Sequence, residues 1–470
     1  MDLSIIPKPV SVNYKEGVFQ SRELPTIEKK EGGLNGLGEE AYRLIISKEK
    51  ITLEGSTPAG IFNGEQTVRQ LFLSEYKNGL LTLPCAEIID YPRFPWRGFM
   101  LDCSRNFYSV SFIKKMIDAL SMHHINRFHW HLTDDQGWRL PVKDYPLLTE
   151  VGSRRLDHRL PPDMAWSGGF YTEDNIREIV EYAASCYMEV IPEVDLPGHT
   201  SALLTSYPDL GCTGGPYQVE DRFGIFEDVL CAGNEKIFDI IAKIFDTLIS
   251  LFPSKWVHIG GDEVLFNRWK ECPKCQKKQK ELGLKKPQEL QSWITFKLVQ
   301  LLSQRGKIAI GWDEILDDCE DYKLPKETIV MSWRGNEGGL RASSLGHNVI
   351  MVPSTEGCYL DYRHTEDPEE IGRSHGTSTV YQGYSMDPVT IQMNPEQASF
   401  ILGGQCNLWS EIIYSGKIAE YMTFPRLCAI AESVWTPKEN RDFDDFSRRL
   451  KVHQKRLDQL GLNQYRGTLR

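Results

Sequence analysis

VHIGGDEV, residues 257–264, starts as a short apolar strand, turns at a pair of glycines and ends on two adjacent acids, Asp262 and Glu263. Two charges at the end of a strand that reads as buried are costly unless they have partners or a task. The same order of features recurs along the chain after residue 93: a short apolar run, a polar residue at its C-terminal end, a loop and an amphipathic helix. This recurrence decides the fold.

Eight apolar runs follow this order, and helices with apolar residues three and four apart lie between most of them. The predicted strands cover residues 96–102, 126–132, 188–195, 256–261, 307–314, 328–333, 348–353 and 400–409. The predicted helices include 111–124, 175–186, 235–252 and 290–304. Parallel strands that alternate with helices in this number form a (β/α)8 TIM barrel, an α/β fold whose active site lies at the C-terminal ends of the strands.

Residues 1–93 have a different pattern, and we predict a small N-terminal α/β domain there. Strands are expected over 42–47, 50–55 and 81–90, with a helix over 57–73. Prolines at positions 92 and 95 interrupt this pattern. The predicted division is therefore 1–93 for the small domain and 94–470 for the catalytic barrel.

The charge pattern argues against some classes of partner. A formal net charge of −11, spread along the chain, disfavours nucleic acid or an anionic membrane as the main partner. No apolar run reaches the roughly 18 residues that a membrane-spanning helix needs. The start, MDLSIIPKPVSV, lacks the basic and apolar segments of a secretory signal. We therefore expect a cytoplasmic protein, although a secreted chain whose signal has been removed would look the same.

The cysteines also favour a reducing compartment. Eleven of them occur at irregular spacings, which is typical of scattered core thiols rather than of a disulfide framework. Cys272 and Cys275 form a CPKC pair that would hold zinc only with two further ligands, and the neighbouring sequence offers none. We therefore expect no metal and no cofactor.

Acids and aromatic residues dominate the positions that follow the predicted strands. These positions are Asp102, Arg105, Asp134, Asp135, Asp195, His199, Asp262, Glu263, Trp312, Asp313, Glu314, Trp333, Tyr359, Asp361, Trp409 and Glu411. Such a rim suits a carbohydrate, because sugar hydroxyls bind charged acceptors while the C–H faces of the ring stack on indole. Arg105 would donate two parallel hydrogen bonds to neighbouring hydroxyls.

The adjacency of Asp262 and Glu263 limits the mechanism. Glycosidases with two catalytic carboxylates hold them about 5 to 5.5 Å apart for a nucleophile, or about 6.5 to 9.5 Å apart to admit a water, on opposite sides of the bond. Adjacent residues rarely achieve this, because their Cα atoms are about 3.8 Å apart and strand side chains alternate in direction. A better fit is that Glu263 protonates the leaving oxygen while Asp262 holds a 2-acetamido group of the substrate. The carbonyl oxygen of that group then attacks and forms a cyclic oxazolinium ion.

The surroundings of the pair support this interpretation. Gly260 and Gly261 leave room where a substrate or an adjacent strand crowds the strand end. Burial and the neighbouring Asp262 are expected to raise the pKa of Glu263, so that it is protonated near neutrality. In a second interpretation the two acids cap the following helix. The acids and tryptophans at the other strand ends favour the first.

The motifs together resemble glycoside hydrolase family 20, the β-N-acetylhexosaminidases. In the family's order they are IIPKPV (5–10), RGFMLDCSR (97–105), HWHLTDDQGWR (129–139), PEVDLPGH (192–199), HIGGDEV (258–264) and GGQCNLWSE (403–411). The resemblance covers nearly the whole chain. It implies an exo-acting, retaining and substrate-assisted hydrolase that removes terminal non-reducing β-linked N-acetylglucosamine or N-acetylgalactosamine.

The resemblance also implies a role for each matched residue. Glu263 is similar to the general acid/base, and Asp262 to the residue that orients the acetamido nitrogen. Tyr359 resembles the hydroxyl that steadies the attacking oxygen, and Asp134 with His199 a relay beside the acid. The implied substrate-binding residues are Trp312, Trp333 and Trp409, as walls around the N-acetyl group and ring, and Arg105, Asp361 and Glu411, as ligands of the ring hydroxyls.

Two other functions fit parts of the sequence. His129 and His131 lie two apart on a predicted barrel strand, where they would share a metal with Asp134, Asp135 or His199 in a metal-dependent hydrolase. They sit below the strand end, however, where inward side chains are usually packed. The other alternative is a sugar-binding protein that has lost catalysis, which is expected to lack the acid that Glu263 supplies.

Overall fold

The computed structural model describes residues 3–34, 36–159, 161, 166–318 and 320–470. Its N-terminal part is a mixed sheet with the strand order β1-β6-β3-β4-β2, and β5 pairs with β6. The strands are β1 Ser11–Ser21, β2 Glu28–Glu31, β3 Tyr42–Ile46, β4 Ile51–Gly55, β5 Tyr76–Lys77 and β6 Leu80–Asp90. Helix α1, Pro58–Glu75, packs on this sheet and begins where the Thr57 hydroxyl accepts a hydrogen bond from the N–H of Ala59. The sequence predicts β3, β4, β6 and α1 but not β1 or β2.

The rest of the chain is built around a closed parallel barrel with the strand order β7-β8-β13-β14-β15-β16-β17-β20. The strands after the small sheet are β7 Trp96–Asp102, β8 Arg127–His131, β9 Thr133–Asp134, β10 Gly137–Trp138, β11 Arg154–Leu156, β12 Trp166–Gly168, β13 Glu189–Glu193, β14 Trp256–His258, β15 Ile308–Trp312, β16 Ile329–Ser332, β17 Val349–Met351, β18 Tyr362–Arg363, β19 Arg373–Thr377 and β20 Ile401–Leu408. Each of the eight predicted runs contains one barrel strand, so the predicted (β/α)8 barrel with a preceding small domain is confirmed.

Helices surround the barrel, and several of the longer ones are amphipathic. They are α2 Val110–Ser121, α3 Leu147–Glu150, α4 Glu173–Ser185, α5 Ser201–Ser206, α6 Lys236–Leu251, α7 Asn267–Glu271, α8 Pro273–Glu281, α9 Glu289–Ser303, α10 Glu337–Ser344, α11 Val380–Ser385, α12 Pro395–Ser399, α13 Gly416–Thr423, α14 Arg426–Trp435 and α15 Phe443–Gln459. Helix α6 is typical, because its buried residues recur three and four apart from Ile237 to Leu251. Along the part of the chain that the structure describes, we find no helix with both the length and the apolar character to cross a bilayer.

Helices α14 and α15 join the barrel to the small sheet. The Trp435 side chain is fully buried in the core of the small sheet, and its indole N–H donates to the Asp90 carboxylate at 3.0 Å. Arg449 on α15 pairs with the buried Glu432 at 2.7 Å and donates to the carbonyl of Ile5 at 2.7 Å. Buried contacts therefore join the small sheet to the barrel part of the chain, although the sequence predicts a domain boundary at residues 91–95.

Candidate active site

Strand β14 ends earlier than predicted, because the backbone turns at two glycines. Gly260 and Gly261 have φ angles of 67° and 101°, and a Cβ on Gly260 would lie 1.7 Å from Oδ1 of Asp195. The N–H of Gly261 donates to the same Asp195 oxygen at 3.0 Å. Glu263 itself has a φ of 52°, a left-handed conformation that costs energy in a non-glycine residue and often occurs at functional sites.

A pocket opens at the C-terminal ends of the barrel strands, where the fold predicts the active site. Its lining residues are Arg105, Asp262, Glu263, Trp333, Tyr359, Arg373, Trp409 and Glu411. All of them except Arg373 are among the residues singled out from the sequence. The structure thus brings seven predicted side chains, from distant parts of the chain, to one cavity.

His199 lies directly behind Glu263. Its Nε2 is 3.6 Å from Oε2 of Glu263, and its Nδ1 lies 3.0 Å from Asp135 and 3.2 Å from Asp134. Burial lowers the pKa of the imidazole, but the facing carboxylates outweigh burial and hold the pKa of His199 well above its usual value. The structure therefore brings Asp134 and His199 together as the predicted relay requires, and it adds Asp135, a strand-end residue to which the sequence gave no part in the relay.

The expected rise in the pKa of Glu263 is wrong for the unliganded protein. Burial does raise the pKa, but the close contact with the positively charged His199, together with Arg105, outweighs burial, so the pKa of Glu263 is lowered. The neighbour that the sequence argument considered was Asp262. The neighbour that dominates is a histidine from another barrel loop.

Asp262 has the opposite electrostatics. It is only 8% exposed, and burial together with the facing carboxyl of Asp195 holds its pKa well above its usual value. Burial likewise raises the pKa of Asp195 to about 7. Oδ1 of Asp262 and Oδ2 of Asp195 have no hydrogen-bond partner among the described residues. Asp262 is thus a buried acid in the pocket wall with room for a donor or a cation.

Arg105 and Asp134 form a neutralised pair on the other side of the pocket. Nη2 of Arg105 lies 2.8 Å from Oδ2 of Asp134, and Nε2 of His131 lies 2.9 Å from the same oxygen. Although burial alone raises the pKa of Asp134, Arg105 and His199 hold it well below its usual range. The guanidinium of Arg105 also lies over the Trp409 ring, 5.0 Å from its centroid.

Aromatic rings form a continuous wall. Trp333 and Tyr359 stack with their centroids 6.0 Å apart and an interplanar angle of 12°, and Trp409 lies 6.4 Å from Tyr359. Trp312 is fully buried and lies below the pocket rather than in its lining, 5.8 Å from Trp409. Burial raises the pKa of Tyr359 well above its usual value, so this phenol stays protonated and able to donate.

Asp361 and Glu411 lie beside each other with Arg373 between them. Nε of Arg373 is 3.2 Å from Oδ2 of Asp361, and its Nη2 pairs with Oε1 of Glu411. Burial raises the pKa of Asp361 to about 6, although Arg373 opposes the shift. Arg373 is the first residue of β19, in a polar stretch of sequence far from any predicted strand, so no strand-end signal in the sequence points to it.

The HWH segment leads to a buried hub below the pocket. The carboxylate of Glu193 lies 2.9 Å from both His129 and His258, contacts Nδ1 of His131, and accepts from the indole N–H of Trp312 at 3.0 Å. Despite burial, these histidines hold the pKa of Glu193 well below its usual value. The hub holds the Trp312 indole through Glu193, which gives HWH a structural task. Glu193 lies inside the strand predicted over residues 188–195, and nothing in the sequence separated it from a core residue.

Glu314 is a second acid whose task the sequence did not reveal. It accepts a hydrogen bond from the indole N–H of Trp333 at 2.9 Å and so orients that ring. Burial and the nearby Asp262 raise the pKa of Glu314 to about 9. Its position after the fifth barrel strand marks it as a rim residue, but only the structure shows what it holds.

A parallel barrel whose mouth combines paired acids, a histidine relay and an indole wall defines a barrel hydrolase of the glycosidase class. Sequence comparison places the chain within that class: residues 94–438 match the catalytic domain of glycosyl hydrolase family 20, and residues 20–91 match domain 2 of the same family. The chain belongs to glycosyl hydrolase family 20.

Named relatives agree with this placement. A β-hexosaminidase of Porphyromonas gingivalis is 42% identical over 435 residues, which are 91% of this chain and 55% of that protein. A β-hexosaminidase of Akkermansia muciniphila is 33% identical over 96% of this chain and 90% of its own length. The chain thus spans about half the length of the first relative and nearly all of the second.

Solved structures show the same architecture. The crystal structure of a β-N-acetylhexosaminidase superposes with a TM-score of 0.91 at 31% identity, covering 99% of this chain and 97% of its own. An exo β-N-acetylglucosaminidase from Vibrio harveyi, solved in complex with N-acetylglucosamine, gives a TM-score of 0.89 at 32% identity, covering 99% of this chain and 78% of its own.

Proposed function

We propose that the protein is an exo-acting, retaining β-N-acetylhexosaminidase that removes terminal non-reducing β-linked N-acetylglucosamine or N-acetylgalactosamine. One observation carries the proposal: Asp262 and Glu263 are consecutive in the chain, yet both reach the same pocket. Consecutive residues do not flank a scissile bond as acid and nucleophile. The acetamido group of the substrate is therefore the nucleophile.

Glu263 is the general acid, and its proton comes from the pair it forms with His199. The raised pKa of His199 and the lowered pKa of Glu263 mean that the pair holds one proton, which resides mainly on the imidazole before substrate binds. At 3.6 Å the two groups are close enough for the proton to shift to Glu263 once a bound sugar excludes water. Glu263 then donates that proton to the leaving oxygen.

Asp262 stabilises the charge that forms on the substrate. Ring closure gives an oxazolinium cation beside Asp262. Burial raises the pKa of Asp262, and the developing cation opposes that shift and favours the ionised carboxylate, which then supplies the matching negative charge. The Tyr359 hydroxyl donates to the acetamido oxygen and holds it for attack. Water then opens the ring from the opposite face with Glu263 as base, so that two inversions give net retention.

The remaining pocket residues bind the sugar. Trp333, Tyr359 and Trp409 enclose the N-acetyl group and the apolar face of the ring. Arg105, Asp361 and Glu411 bind the ring hydroxyls through charge-assisted hydrogen bonds. Because Arg373 pairs with both carboxylates in the unliganded protein, sugar binding replaces or rearranges its contacts.

The central test is Glu263→Gln, measured with aryl N-acetylglucosaminides of different leaving-group pKa. A positioned general acid contributes about 10²- to 10⁴-fold, so kcat/KM, which reports the glycosylation step, should fall by that factor on a poor leaving group such as phenol. On dinitrophenyl, which leaves without protonation, glycosylation should be nearly unaffected. Glu181→Gln, an exposed acid on α4, is the matched control and should retain wild-type rates. Equal losses on both substrates would contradict the assignment of Glu263 as the acid.

Substrate assistance has its own test. Aryl glucosides with a plain 2-hydroxyl should be hydrolysed far more slowly than their N-acetylated counterparts, because they lack the nucleophile. A thiazoline that mimics the oxazolinium should bind much more tightly than N-acetylglucosamine, as expected of a transition-state-like ligand. Comparable rates or comparable affinities would overturn the mechanism, and absence of any turnover would leave only a sugar-binding protein.

We also propose that the protein works in a reducing compartment, the cytoplasm. The support is that the ten cysteines among the described residues are all unpaired thiols. Cell fractionation with a cytoplasmic marker enzyme is the test. Recovery in a secreted or periplasmic fraction would overturn this proposal without affecting the chemistry.

A further inference from the structure

Four cysteines from separate parts of the chain meet at one point beside the barrel. They are Cys212 and Cys231 in the loop that follows β13, and Cys272 and Cys275 at the start of α8. All four sulfur atoms lie within 4.8 Å of one another. The sequence offered Cys272 and Cys275 no further ligands nearby, but the structure brings in two thiols that are 63 and 44 residues away from Cys275.

The distances between the sulfurs match a tetrahedral metal site. Cys231 Sγ lies 3.6 Å from Cys275 and 3.8 Å from Cys272, and Cys212 Sγ lies 3.7 Å from Cys275. Four sulfurs placed about 2.3 Å from a central Zn²⁺ are separated by about 3.8 Å along the edges of the tetrahedron. A C-x2-C pair that supplies two of four ligands is also the usual spacing of structural zinc sites.

Disulfide bonds do not explain the arrangement. A disulfide joins two sulfurs at about 2.05 Å, much closer than any of these contacts. Cys231 is also nearly equidistant from two partners, although a disulfide has only one. Three of the four thiols are almost completely buried, with exposures of 0% for Cys231, 0% for Cys275 and 6% for Cys272. Such a cluster of buried thiols suits a soft metal ion that all four sulfurs coordinate.

The surrounding backbone is built closely around the sulfurs. Gly233 packs against the chain at Lys274, where an added Cβ would lie 2.2 Å from a backbone carbon. The N–H of Cys231 donates to the carbonyl of Leu210 at 2.9 Å, which fixes the strand of chain that carries this ligand.

The geometry points to a structural zinc site in which Cys212, Cys231, Cys272 and Cys275 bind one Zn²⁺ as thiolates. Binding releases the thiol protons to solvent and involves no change of oxidation state. The ion joins the loop after β13, which carries His199, to the loop after β14, which carries Asp262 and Glu263. Between the cluster and the pocket, the N–H of Leu230 donates to the carbonyl of Pro197 at 3.1 Å, two residues before His199. The site therefore clamps together the two loops that hold the acid and its relay.

Metal analysis of the full-length protein tests the inference. Protein produced with added zinc and purified under a thiol reductant without chelator should contain close to one zinc per chain by plasma mass spectrometry. X-ray absorption at the zinc edge should show four sulfurs at about 2.3 Å. Fewer than one zinc in ten chains, or a shell dominated by nitrogen and oxygen, would overturn the proposal. So would an intact mass that shows two disulfides in their place.

Variants locate the site. Cys272→Ser combined with Cys275→Ser should abolish zinc binding and lower the melting temperature, because structural zinc stabilises only the folded chain. Cys186→Ser, a half-buried thiol at the end of α4, is the matched control and should keep its zinc. If the double variant does not fold, mercurial titration of the wild-type protein replaces it. Zinc release in step with modification of the four thiols supports the site, and release without thiol modification overturns it.

Discussion

Asp134 and Asp262 contact different nitrogens of His199 and are both buried, but their pKa values shift in opposite directions. Asp134 lies among Arg105, His131 and His199, which hold its pKa well below the usual range. Asp262 faces the carboxyl of Asp195 instead, and burial together with that neighbour raises its pKa. Burial alone therefore does not set the state of a carboxyl, because its partners decide the outcome. Asp134, whose charge its cations neutralise, holds the neighbouring side chains in place. Asp262 has no such set of cations, so it remains available to the positive charge that forms on the substrate.

Asp262→Asn removes the acid that faces the substrate and should have the largest effect on the reaction rate. Without the carboxylate, nothing on that side compensates the developing oxazolinium charge, so kcat should fall about 10²- to 10³-fold, the loss typical of one preorganised electrostatic contact. Folding stability should be unchanged or improved, since a buried acid without a strong partner is removed. Steady-state kinetics and urea unfolding measure the two quantities. A stable variant with full activity would contradict the role of Asp262.

Asp134→Asn should lower the stability of the folded protein. Removing one member of a buried ion pair leaves its cations uncompensated and costs about 3 kcal/mol of unfolding free energy at pH 7.5. The folded pKa of Asp134 is lowered, so its stabilisation is fully present above the unfolded pKa and disappears only in acid.

Asp195→Asn is the matched control for that experiment. The folded pKa of Asp195 is raised to about 7, so its ionisation destabilises the fold as pH rises from about 4 to 7. The asparagine variant should therefore be as stable as the wild type at pH 7.5, or more so, in urea unfolding. Equal losses of unfolding free energy in Asp134→Asn and Asp195→Asn would contradict the opposite pKa shifts of the two carboxyls.

His199→Gln should change the pH dependence of kcat/KM. In the wild type, the pair with Glu263 keeps its proton up to the raised pKa of His199, and this sets the alkaline limb of kcat/KM. Without the imidazole, Glu263 must hold the proton alone, so the alkaline limb should move to lower pH by at least about one pH unit, equivalent to 1.4 kcal/mol. His158→Gln, an exposed histidine, is the control. An unchanged limb would separate His199 from proton transfer.

Arg373→Ala should have the smallest effect. Its pair with Asp361 and Glu411 is partly exposed, and such pairs contribute at most about 1 kcal/mol, or about fivefold in KM. Because Arg373 opposes the rise in the pKa of Asp361, its loss should raise that pKa further. KM should then increase more steeply than in the wild type as pH falls below neutrality. A KM that is insensitive to both the substitution and pH would remove Arg373 from the sugar site.

The barrel was predictable because its strands are buried on both faces and read as continuous apolar runs. Strands β1 and β2 could not be predicted from apolar runs, since β1 is largely exposed and β2, with the sequence EKKE, is fully exposed and charged. Strand β14 was predicted three residues too long, because the left-handed turn at Gly260 is not visible as a change in hydrophobicity.

The site was predictable to the extent that its residues directly follow strands. Tyr359 and Glu411 could be placed in this way, but the distinct contacts of Asp134 and Asp135 could not, because the two occur side by side in the chain. Arg373, at the start of the exposed strand β19, and the partners of Cys275, in loops, owe their positions to tertiary packing, for which the local sequence carries no periodic signal. The lowered pKa of Glu263 has the same origin, since it depends on a histidine from another loop.

The shared core of α14, α15 and the small sheet bears on where this protein can be cut. The match to the family's catalytic domain ends at residue 438, before α15, whose Arg449 neutralises the buried Glu432. A fragment trimmed to residues 94–438 would leave that carboxylate without its cation and expose Trp435 to water. The smallest fragment that folds by itself is therefore expected to be longer than residues 94–438, because the segments on either side pack against the barrel and stabilise it.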